Sequence, residues 1–346
     1  MKKIINGKTQ PILRQTPPIR RKAPPIHRKA LSIHRKAPLI SIVIPFYNEE
    51  GNVNELYKRL CLLFVKEKKY KFEIIAVEHG SNDSTLPKLL AIYKKDKRLK
   101  IVELSRNFGS ADPGISAGLN FAKGDALVIT MADLQEPINL ISKFLRKWEE
   151  GFEIVYGIVE KRPDTSLARR SLSILFYIIL NLMTGNIFPE NVSDFRLIDK
   201  KVYEVVNKMP ERNKYLRGVI AWTGFRQVGI PFERTARFSG ESKADFTTVL
   251  GVAANGIFSF SYVPLRMVTF IGFILSLVSF FVIILQISLF VIYGRGAPGI
   301  STIVILTSFL FGMLFLILGV IGEYLARIYD EVKQRPNYIV RSKIGL

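Results

Sequence analysis

An aspartate and a glutamine, two residues apart, follow an apolar run that has the composition of a buried strand. The run ALVIT (126–130) leads into the segment ADLQEP (132–137), which contains Asp133 and Gln135. Mg²⁺ and Mn²⁺ prefer oxygen ligands, and one or two carboxylates with phosphate oxygens usually complete their coordination shell. Asp133 and Gln135 are therefore candidates to hold a divalent ion on a nucleotide diphosphate. Taken alone, the pattern favours the alternative that Asp133 caps a turn before Pro137, a common use of aspartate.

The segment that carries Asp133 belongs to a regular alternation of predicted strands and helices. Short β-branched runs predict strands at 41–45, 73–77, 101–104, 126–130 and 152–157, and apolar residues at helical spacing predict helices at 53–64, 86–93, 115–122 and 138–148. This alternation indicates βαβ units and an α/β fold with a mostly parallel sheet. Ligands bind such sheets at the carboxyl ends of the strands. Five polar residues at these ends form a candidate site: Asn48, Glu49, Glu78, His79 and Asp133.

Two long uncharged runs near the C-terminus predict membrane-spanning helices. Residues 267–293 and 300–322 contain no charged side chain, and about 20 apolar residues suffice to span a bilayer. The short joint between them holds only Arg295, whereas basic residues flank the outer ends of the pair: Arg266, Arg327, Lys333, Arg335, Arg341 and Lys343. By the positive-inside rule, we expect a multi-pass integral membrane protein whose α/β domain and both termini are cytoplasmic.

Two further apolar segments are predicted to lie in the membrane interface. Residues 172–188 and, less clearly, 246–264 are long enough for interfacial helices. The alternative for 172–188 is a third span, which would place 189–265 on the opposite side of the bilayer. The predicted organisation is a tail (1–39), an α/β core (40–165), a region with the interfacial segments (166–265), two transmembrane helices (266–326) and a basic cytoplasmic tail (327–346).

The N-terminal arm carries about half of the net charge of +21. Residues 1–40 contain eleven Lys and Arg and no acid, and RKAPPIH (21–27) begins a seven-residue repeat. This proline content predicts a disordered tail. Such a tail suits an anionic membrane face or nucleic acid, or it is a solvated appendage. Because only the arm favours nucleic acid, we expect no nucleic-acid partner. The single cysteine, Cys61, excludes an intramolecular disulfide.

An ordered set of short segments resembles the family-2 glycosyltransferases of the GT-A fold. The segments are IPFYNEEGNV (44–53), GSNDST (80–85), LSRNFG (104–109), AGLNFAKGD (117–125), ADLQEP (132–137), SDFRL (193–197), ERNKYLRG (211–218), GFRQVGIPFERTARFSGESK (224–243) and PLR (264–266). Within that family, the set with its two spans is most similar to the polyprenyl-phosphate glycosyltransferases, which include dolichol-phosphate mannose synthase and the bacterial undecaprenyl-phosphate glucosyltransferases. The resemblance covers residues 40 to about 330. It implies that the core (40–165) binds a nucleotide sugar and that 166–265 lies on the acceptor side.

The resemblance implies inverting transfer of a hexose from a nucleotide sugar to polyprenyl phosphate at the bacterial inner membrane, with UDP-glucose preferred over GDP-mannose. It places Pro45, Tyr47, Asn48 and Glu49 at the base and ribose, with Glu78 and His79 beside them, and Asp133 and Gln135 on Mg²⁺ or Mn²⁺. It places Asp194 and Arg196 near the sugar, and Arg217, Arg234, Arg237, Ser242 and Lys243 near the phosphates. Of these, the implied catalytic set is Asp133, Asp194, Arg217, Arg237 and Lys243. The alternative for the basic residues is surface charge that meets anionic lipid. The resemblance also implies a homo-oligomer such as a tetramer, which no sequence feature itself predicts.

An acceptor of this kind explains why the implied site is rich in cations. A lipid monophosphate has a second pKa of about 6 and is largely ionised at neutral pH, so it needs no strong general base. It needs cations that bring two phosphate groups together and in-line placement behind the anomeric carbon.

Three positions depart from the pattern of the family. Glu78, His79 and Met131 stand where the family usually has aspartate. Because Met131 cannot replace a carboxylate, we expect divalent-ion binding to be weakened or lost. His79 would contact the base or replace a metal ligand. The alternative hypothesis is a catalytically degenerate relative that acts as a lipid-phosphate-binding or scaffold protein in the membrane.

Overall fold

The computed structural model describes residues 37–161, 192–212, 214–235, 238, 261–293 and 299–346. Eight strands in this part form one sheet: β1 (Leu39–Phe46), β2 (Lys71–Glu78), β3 (Leu99–Leu104), β4 (Ala126–Ile129), β5 (Ile154–Lys161), β6 (Val192–Asp199), β7 (Gln227–Glu233) and β8 (Val340–Ile344). Their order across the sheet is β7-β5-β6-β4-β1-β2-β3-β8. The predicted α/β fold is thus confirmed.

Parallel strands form the centre of the sheet. Strands β4, β1, β2 and β3 run in the same direction, and β7 is parallel to β5, whereas β6 and β8 pair antiparallel with their neighbours. All but the first residue of β1 are buried. Near-continuous burial is the consequence of covering a parallel sheet on both faces, and it explains the unbroken apolar run of this strand.

Helices cover both faces of the sheet. Their bounds are α1 (Val53–Lys66), α2 (Thr85–Lys95), α3 (Ala111–Phe121), α4 (Leu140–Glu149), α5 (Lys200–Lys208) and α6 (Leu216–Trp222). One core contains residues of α1, α2 and α4 and includes Leu56, Leu89 and Phe144. The other contains residues of α3, α5 and α6 and includes Ile115 and Val202. We call the edge at which β1, β2, β3 and β4 end the carboxyl edge.

The sheet is built from more of the chain than residues 40–165. Strands β6 and β7 come from the region predicted to be on the acceptor side, and β8 comes from residues predicted to be a tail. Strand β8 pairs with the open side of β3, where Ser342 Oγ donates to Glu103 Oε2 at 2.6 Å. The basic charges of 327–346 concealed this strand, because its apolar residues alternate with Arg341 and Lys343.

Two long helices, α7 (Val263–Tyr293) and α8 (Ile300–Lys333), precede β8. Each contains a segment long and apolar enough to cross a membrane. Helix α8 continues well beyond the uncharged run. Of the two segments predicted to be interfacial, 172–188 lies outside the described residues, as does 246–264 except for its last four residues, where α7 begins.

Candidate active site

Two loops at the carboxyl edge are joined by hydrogen bonds. In the loop after β1, the Asn48 backbone N–H donates to Ser81 Oγ at 3.0 Å, and Asn48 Oδ1 accepts from the backbone N–H of Asn82 at 2.9 Å. The Glu49 N–H donates to Thr85 Oγ1 at 2.9 Å, at the start of α2. Asn48 has a φ of 51°, a left-handed conformation that asparagine tolerates. The loops that carry the predicted base and ribose residues therefore form one unit.

Glu78 ends β2 and binds the backbone of its own loop. It is 2% exposed, and its carboxylate accepts from the N–H groups of Gly80 at 3.0 Å and Ser81 at 2.5 Å. The side chain that replaces the usual aspartate thus folds the loop that follows it.

His79 points to the face of the sheet that α3 covers. It is 3% exposed, its Nε2 has no hydrogen-bond partner among the described residues, and a Cβ built on Gly114 would lie 1.6 Å from Nε2. Burial lowers the pKa of His79 to about 4, so the imidazole is neutral near pH 7. This placement favours packing over the predicted contact with a base or a metal.

Asp133 lies in a turn rather than in an extended chain. Leu134 has a φ of 58°, and Asp133 Oδ1 accepts from the backbone N–H of Gln135 at 3.2 Å. The interpretation of Asp133 as a turn cap is therefore correct, and it does not exclude the metal role. Both Asp133 and Gln135 are half-buried at the carboxyl edge.

Glu136 is a buried carboxylate beneath this turn, and it is not among the predicted site residues. It is 1% exposed. Its Oε1 accepts from Ser193 Oγ at 2.5 Å, and its Oε2 accepts from Thr130 Oγ1 at 3.3 Å and from the Met131 N–H at 3.2 Å. Arg234 Nη2 lies 3.7 Å from Oε1. Burial, above all, raises the pKa of Glu136 to about 7.

Asp194, at the start of β6, forms a two-pronged ion pair with Arg217 of α6. Arg217 Nε donates to Oδ1 at 3.0 Å and Nη2 donates to Oδ2 at 2.6 Å. Burial opposes ionisation, but Arg217 and Arg196 together hold the pKa of Asp194 below its ordinary value. Arg196 is 3% exposed and donates to the Ser193 carbonyl at 2.9 Å. Asp194 is therefore a fixed carboxylate.

Asp112, in the first turn of α3, is a second carboxylate beside Asp194. Burial and the negative charge of Asp194 raise the pKa of Asp112 to about 7, while Arg217, Arg196 and a bond from the Leu216 N–H lower it. Because Leu216 is the first residue of α6, Asp112 links α3 to the helix that carries Arg217. An aspartate in a first helical turn usually indicates no more than favourable interaction with the helix dipole, so this contact could not be predicted from the sequence.

The pairing of β4 with β6 brings the predicted residues together. Ile129 pairs with Arg196 in the antiparallel register, which places the start of β6 beside the turn that carries Asp133. The Thr235 N–H, just after β7, donates to the Gln135 carbonyl at 3.2 Å and adds Arg234 to the same place. Three of the predicted residues, Arg237, Ser242 and Lys243, lie outside the described part of the chain.

Comparison with known proteins assigns this arrangement to a family. Residues 41–206 match the family described as Glycosyl transferase family 2. A glycosyltransferase of Synechocystis sp. is 41% identical over 89% of this chain and 96% of that protein. The bactoprenol glucosyl transferase of Shigella phage SfX is 34% identical over 88% of this chain and 99% of that protein.

This chain belongs to glycosyltransferase family 2. Its sheet and helices form the GT-A-like α/β fold, as the sequence resemblance implied, and the protein is a glycosyltransferase. Among solved structures, glucosyl-3-phosphoglycerate synthase from Mycobacterium tuberculosis is similar, with a TM-score of 0.44 and 17% identity over 64% of this chain and 78% of that chain.

The oxygen donors of this family-2 glycosyltransferase fit a divalent ion only in part. Asp133 and Gln135 offer a carboxylate and an amide oxygen, which are ligands that Mg²⁺ and Mn²⁺ accept. Met131 offers a thioether in place of a second carboxylate, and the described residues contain no group of three His, Cys, Asp or Glu placed to hold a metal. A metal at this site would therefore depend on phosphate oxygens for most of its remaining ligands.

Proposed function

We propose that this protein transfers glucose from UDP-glucose to a polyprenyl phosphate, with GDP-mannose as the next candidate donor. Relatives that are 34% identical over nearly their whole length are named bactoprenol glucosyl transferases, which supports both the glucosyl group and the lipid acceptor. The expected reaction inverts the anomeric carbon, because the acceptor phosphate attacks from the side opposite the departing nucleotide.

The observation that carries this proposal is that the candidate site and the apolar helices share the carboxyl edge. The Ser105 N–H, directly after β3, donates to the Ile339 carbonyl at 2.9 Å, so the chain from α8 enters the sheet at this edge. The Arg212 N–H, four residues after α5, donates to Glu331 Oε1 near the end of α8 at 2.7 Å. A lipid phosphate in the membrane that holds α7 and α8 would meet the site directly, whereas a soluble acceptor would require no such arrangement.

The described residues would have two roles in the reaction: some would bind the donor, and others would neutralise the phosphate groups. The joined loops of Tyr47, Asn48 and Glu49 would receive the base and ribose of the nucleotide. Asp133 and Gln135 would hold Mg²⁺ or Mn²⁺, which when bound supplies positive charge to the departing diphosphate. The fixed carboxylate of Asp194 would orient the sugar by hydrogen bonds to its hydroxyl groups.

Cations near the turn would receive the acceptor. Arg234 is 29% exposed, and its Nε has no hydrogen-bond partner in the part of the chain that the structure describes. Arg217 keeps Asp194 in place while its own charge offsets that of the incoming phosphate. Arg237, Ser242 and Lys243 would complete the phosphate site. Because the nucleophile is already an anion, neither Asp194 nor Asp112 needs to remove a proton from it.

We also propose the membrane topology that the charges predict. Both ends of the helical pair lead to the sheet, since α7 follows the region of β7 and α8 leads to β8. With α7 and α8 as two spans, the sheet and the C-terminus lie on one side of the bilayer. The flanking Arg and Lys residues support the cytoplasm as that side.

One observation favours a second candidate, a degenerate relative that binds lipid phosphate without transfer. Glu78 binds backbone N–H groups, and His79 packs against Gly114. Neither side chain therefore presents a carboxylate to a donor, as an aspartate at its position would. With Met131 in the third position, donor binding is the function that these changes would impair first.

The experiment is sugar transfer in membranes that contain the expressed protein and undecaprenyl phosphate. Radiolabelled UDP-glucose, UDP-N-acetylglucosamine and GDP-mannose are offered in turn, with Mn²⁺ or with EDTA. We expect labelled lipid from UDP-glucose that is lost in EDTA. Labelled lipid that survives EDTA would overturn the metal assignment and keep the enzyme. No labelled lipid from any donor, with transfer restored when Glu78, His79 and Met131 are all changed to aspartate, would establish the degenerate relative.

A further inference from the structure

Glu136 joins three parts of the site that come from distant points of the chain. Its two carboxylate oxygens bind the end of β4 through Thr130 and Met131, and the start of β6 through Ser193. Its third neighbour is Arg234, the residue after β7. None of the functions assigned above uses this carboxylate.

Hydrogen bonds from the ends of β4 and β6 hold the Glu136 carboxylate in place without any contribution from Arg234. Donors from two strand ends occupy both oxygens, and the side chain is 1% exposed, so it has no space to turn. The 3.7 Å separation between Oε1 and Arg234 Nη2 is longer than a hydrogen bond. Glu136 therefore attracts the guanidinium group without occupying its N–H groups.

Arg234 is held on its other side by the chain itself. The next residue, Thr235, donates to the Leu134 carbonyl through Oγ1 at 3.2 Å and to the Gln135 carbonyl through its N–H. These contacts fix the backbone of Arg234 beside the turn of Asp133. The long side chain would still sample many rotamers, and Glu136 in its ionised form selects those that lie against the turn.

We propose that Glu136 is a positioning residue that holds the Arg234 guanidinium against the turn of Asp133, ready for an acceptor phosphate. The inference rests on the proposed function, because it takes Arg234 as a phosphate ligand. It explains why a buried carboxylate lies in a site that binds anions. The carboxylate would act on the phosphate only through Arg234. Because it forms no hydrogen bond with the guanidinium group, it would not compete with the phosphate for the N–H groups of Arg234.

A double-mutant cycle tests the inference. The variants are Glu136→Gln, Arg234→Gln and their combination, each assayed for KM and kcat with polyprenyl phosphate and for UDP binding by calorimetry. We expect Glu136→Gln to raise KM for polyprenyl phosphate about tenfold and to leave the Kd for UDP unchanged. We expect the double variant to be no worse than Arg234→Gln, because Glu136 has nothing to position once the guanidinium is gone.

Glu73 provides the matched control for a merely structural role. It is also a buried glutamate, 4% exposed, and it binds Ser41 and Lys100 away from the carboxyl edge. Glu73→Gln should lower Tm without changing the KM for polyprenyl phosphate or the Kd for UDP. If Glu136→Gln behaves like Glu73→Gln, or if its effect multiplies with that of Arg234→Gln, the inference is wrong.

A second variant covers the case in which Glu136→Gln does not fold. Ser193→Ala removes one bond that fixes Glu136 and leaves both charges, so it should raise KM for polyprenyl phosphate by a smaller factor and again leave UDP binding unchanged. An unchanged KM would contradict the inference. If the wild type transfers sugar but the effects of Glu136→Gln and Arg234→Gln are independent, this inference alone is overturned. If the wild type transfers no sugar, the proposed function is overturned.

Discussion

At the scale of single residues, the carboxyl edge of the sheet gathers polar side chains, and the loop after each strand determines which groups they contact: Glu78 binds the backbone of its loop, and His79 packs against Gly114. The polar residues at strand ends were predictable, because a parallel sheet brings its carboxyl ends to one edge. The orientations of Glu78 and His79 were not, since consecutive residues of a strand point to opposite faces and the loop that follows fixes the rest. Glu136 was also missed, because a glutamate before a proline gives no signal of burial.

The buried imidazole of His79 predicts a specific dependence of stability on pH. Its pKa falls from 6.5 to about 4 on folding, so between these values the unfolded chain binds a proton that the folded chain does not. The free energy of unfolding should therefore fall by about 3 kcal/mol as pH falls from 6.5 to 4. Urea unfolding between pH 6.5 and 4 should show this loss of free energy in the wild type and not in His79→Asn. Parallel pH profiles would show that His79 is not buried as described.

Met131 predicts a gain of function in metal binding. Met131→Asp adds a second carboxylate beside Asp133 and should lower the Mn²⁺ concentration for half-maximal binding roughly tenfold, since ligand charge sets much of the affinity. Paramagnetic resonance of Mn²⁺ in the presence of UDP measures this directly. Met131→Asn, of similar size without the charge, is the control and should change little. Equal Mn²⁺ affinity in all three proteins would contradict the assignment of the metal to Asp133.

At the scale of elements, the helices and central strands were predictable from periodicity, but their ends and partners were not. Helix α3 begins at Ala111, four residues before its predicted start, because Pro113 and Gly114 interrupt the apolar pattern. Proline is well tolerated in a first helical turn, and Gly114 allows the close approach of His79. The contact with His79 thus explains why α3 contains Gly114, which helix propensity alone disfavours.

The contact between α3 and β2 predicts a pair of compensating substitutions. Gly114→Ala places a Cβ on His79 Nε2 and should cost about 1–3 kcal/mol of unfolding free energy, despite the better helix propensity of alanine. In a His79→Ser background, the same substitution should be neutral or stabilising. Thermal unfolding of the four proteins gives the answer. An equal cost in both backgrounds would place the clash elsewhere.

At the scale of the whole molecule, the C-terminal strand connects the apolar helices to the catalytic sheet. The sequence predicted the two helices from length and hydropathy alone. It did not predict that the chain returns to the sheet, because a short alternating strand at an edge resembles a basic tail. Tyr338, Val340 and Leu346 pack on the core that contains α3, so β8 is part of the domain.

Removal of β8 should therefore damage the domain. A chain that ends after Arg335 should lose about 5 °C or more in Tm, because it exposes apolar core and the edge of β3. Arg341→Ala is the control: it removes an ion pair to Glu103 in which the arginine is 67% exposed, and it should cost less than about 1 kcal/mol. Unchanged Tm in the truncated chain would indicate that β8 is dispensable.

The most direct test of the proposed function compares wild type with Asp194→Asn in transfer of labelled glucose from UDP-glucose to undecaprenyl phosphate. The substitution keeps the size of the side chain and removes the charge that Arg217 holds with two hydrogen bonds. We expect labelled lipid from wild type and a loss of about 100-fold or more in Asp194→Asn, with UDP binding retained. Equal labelling by the two proteins would contradict the assignment of the site, and no labelling by wild type would contradict the proposed reaction itself.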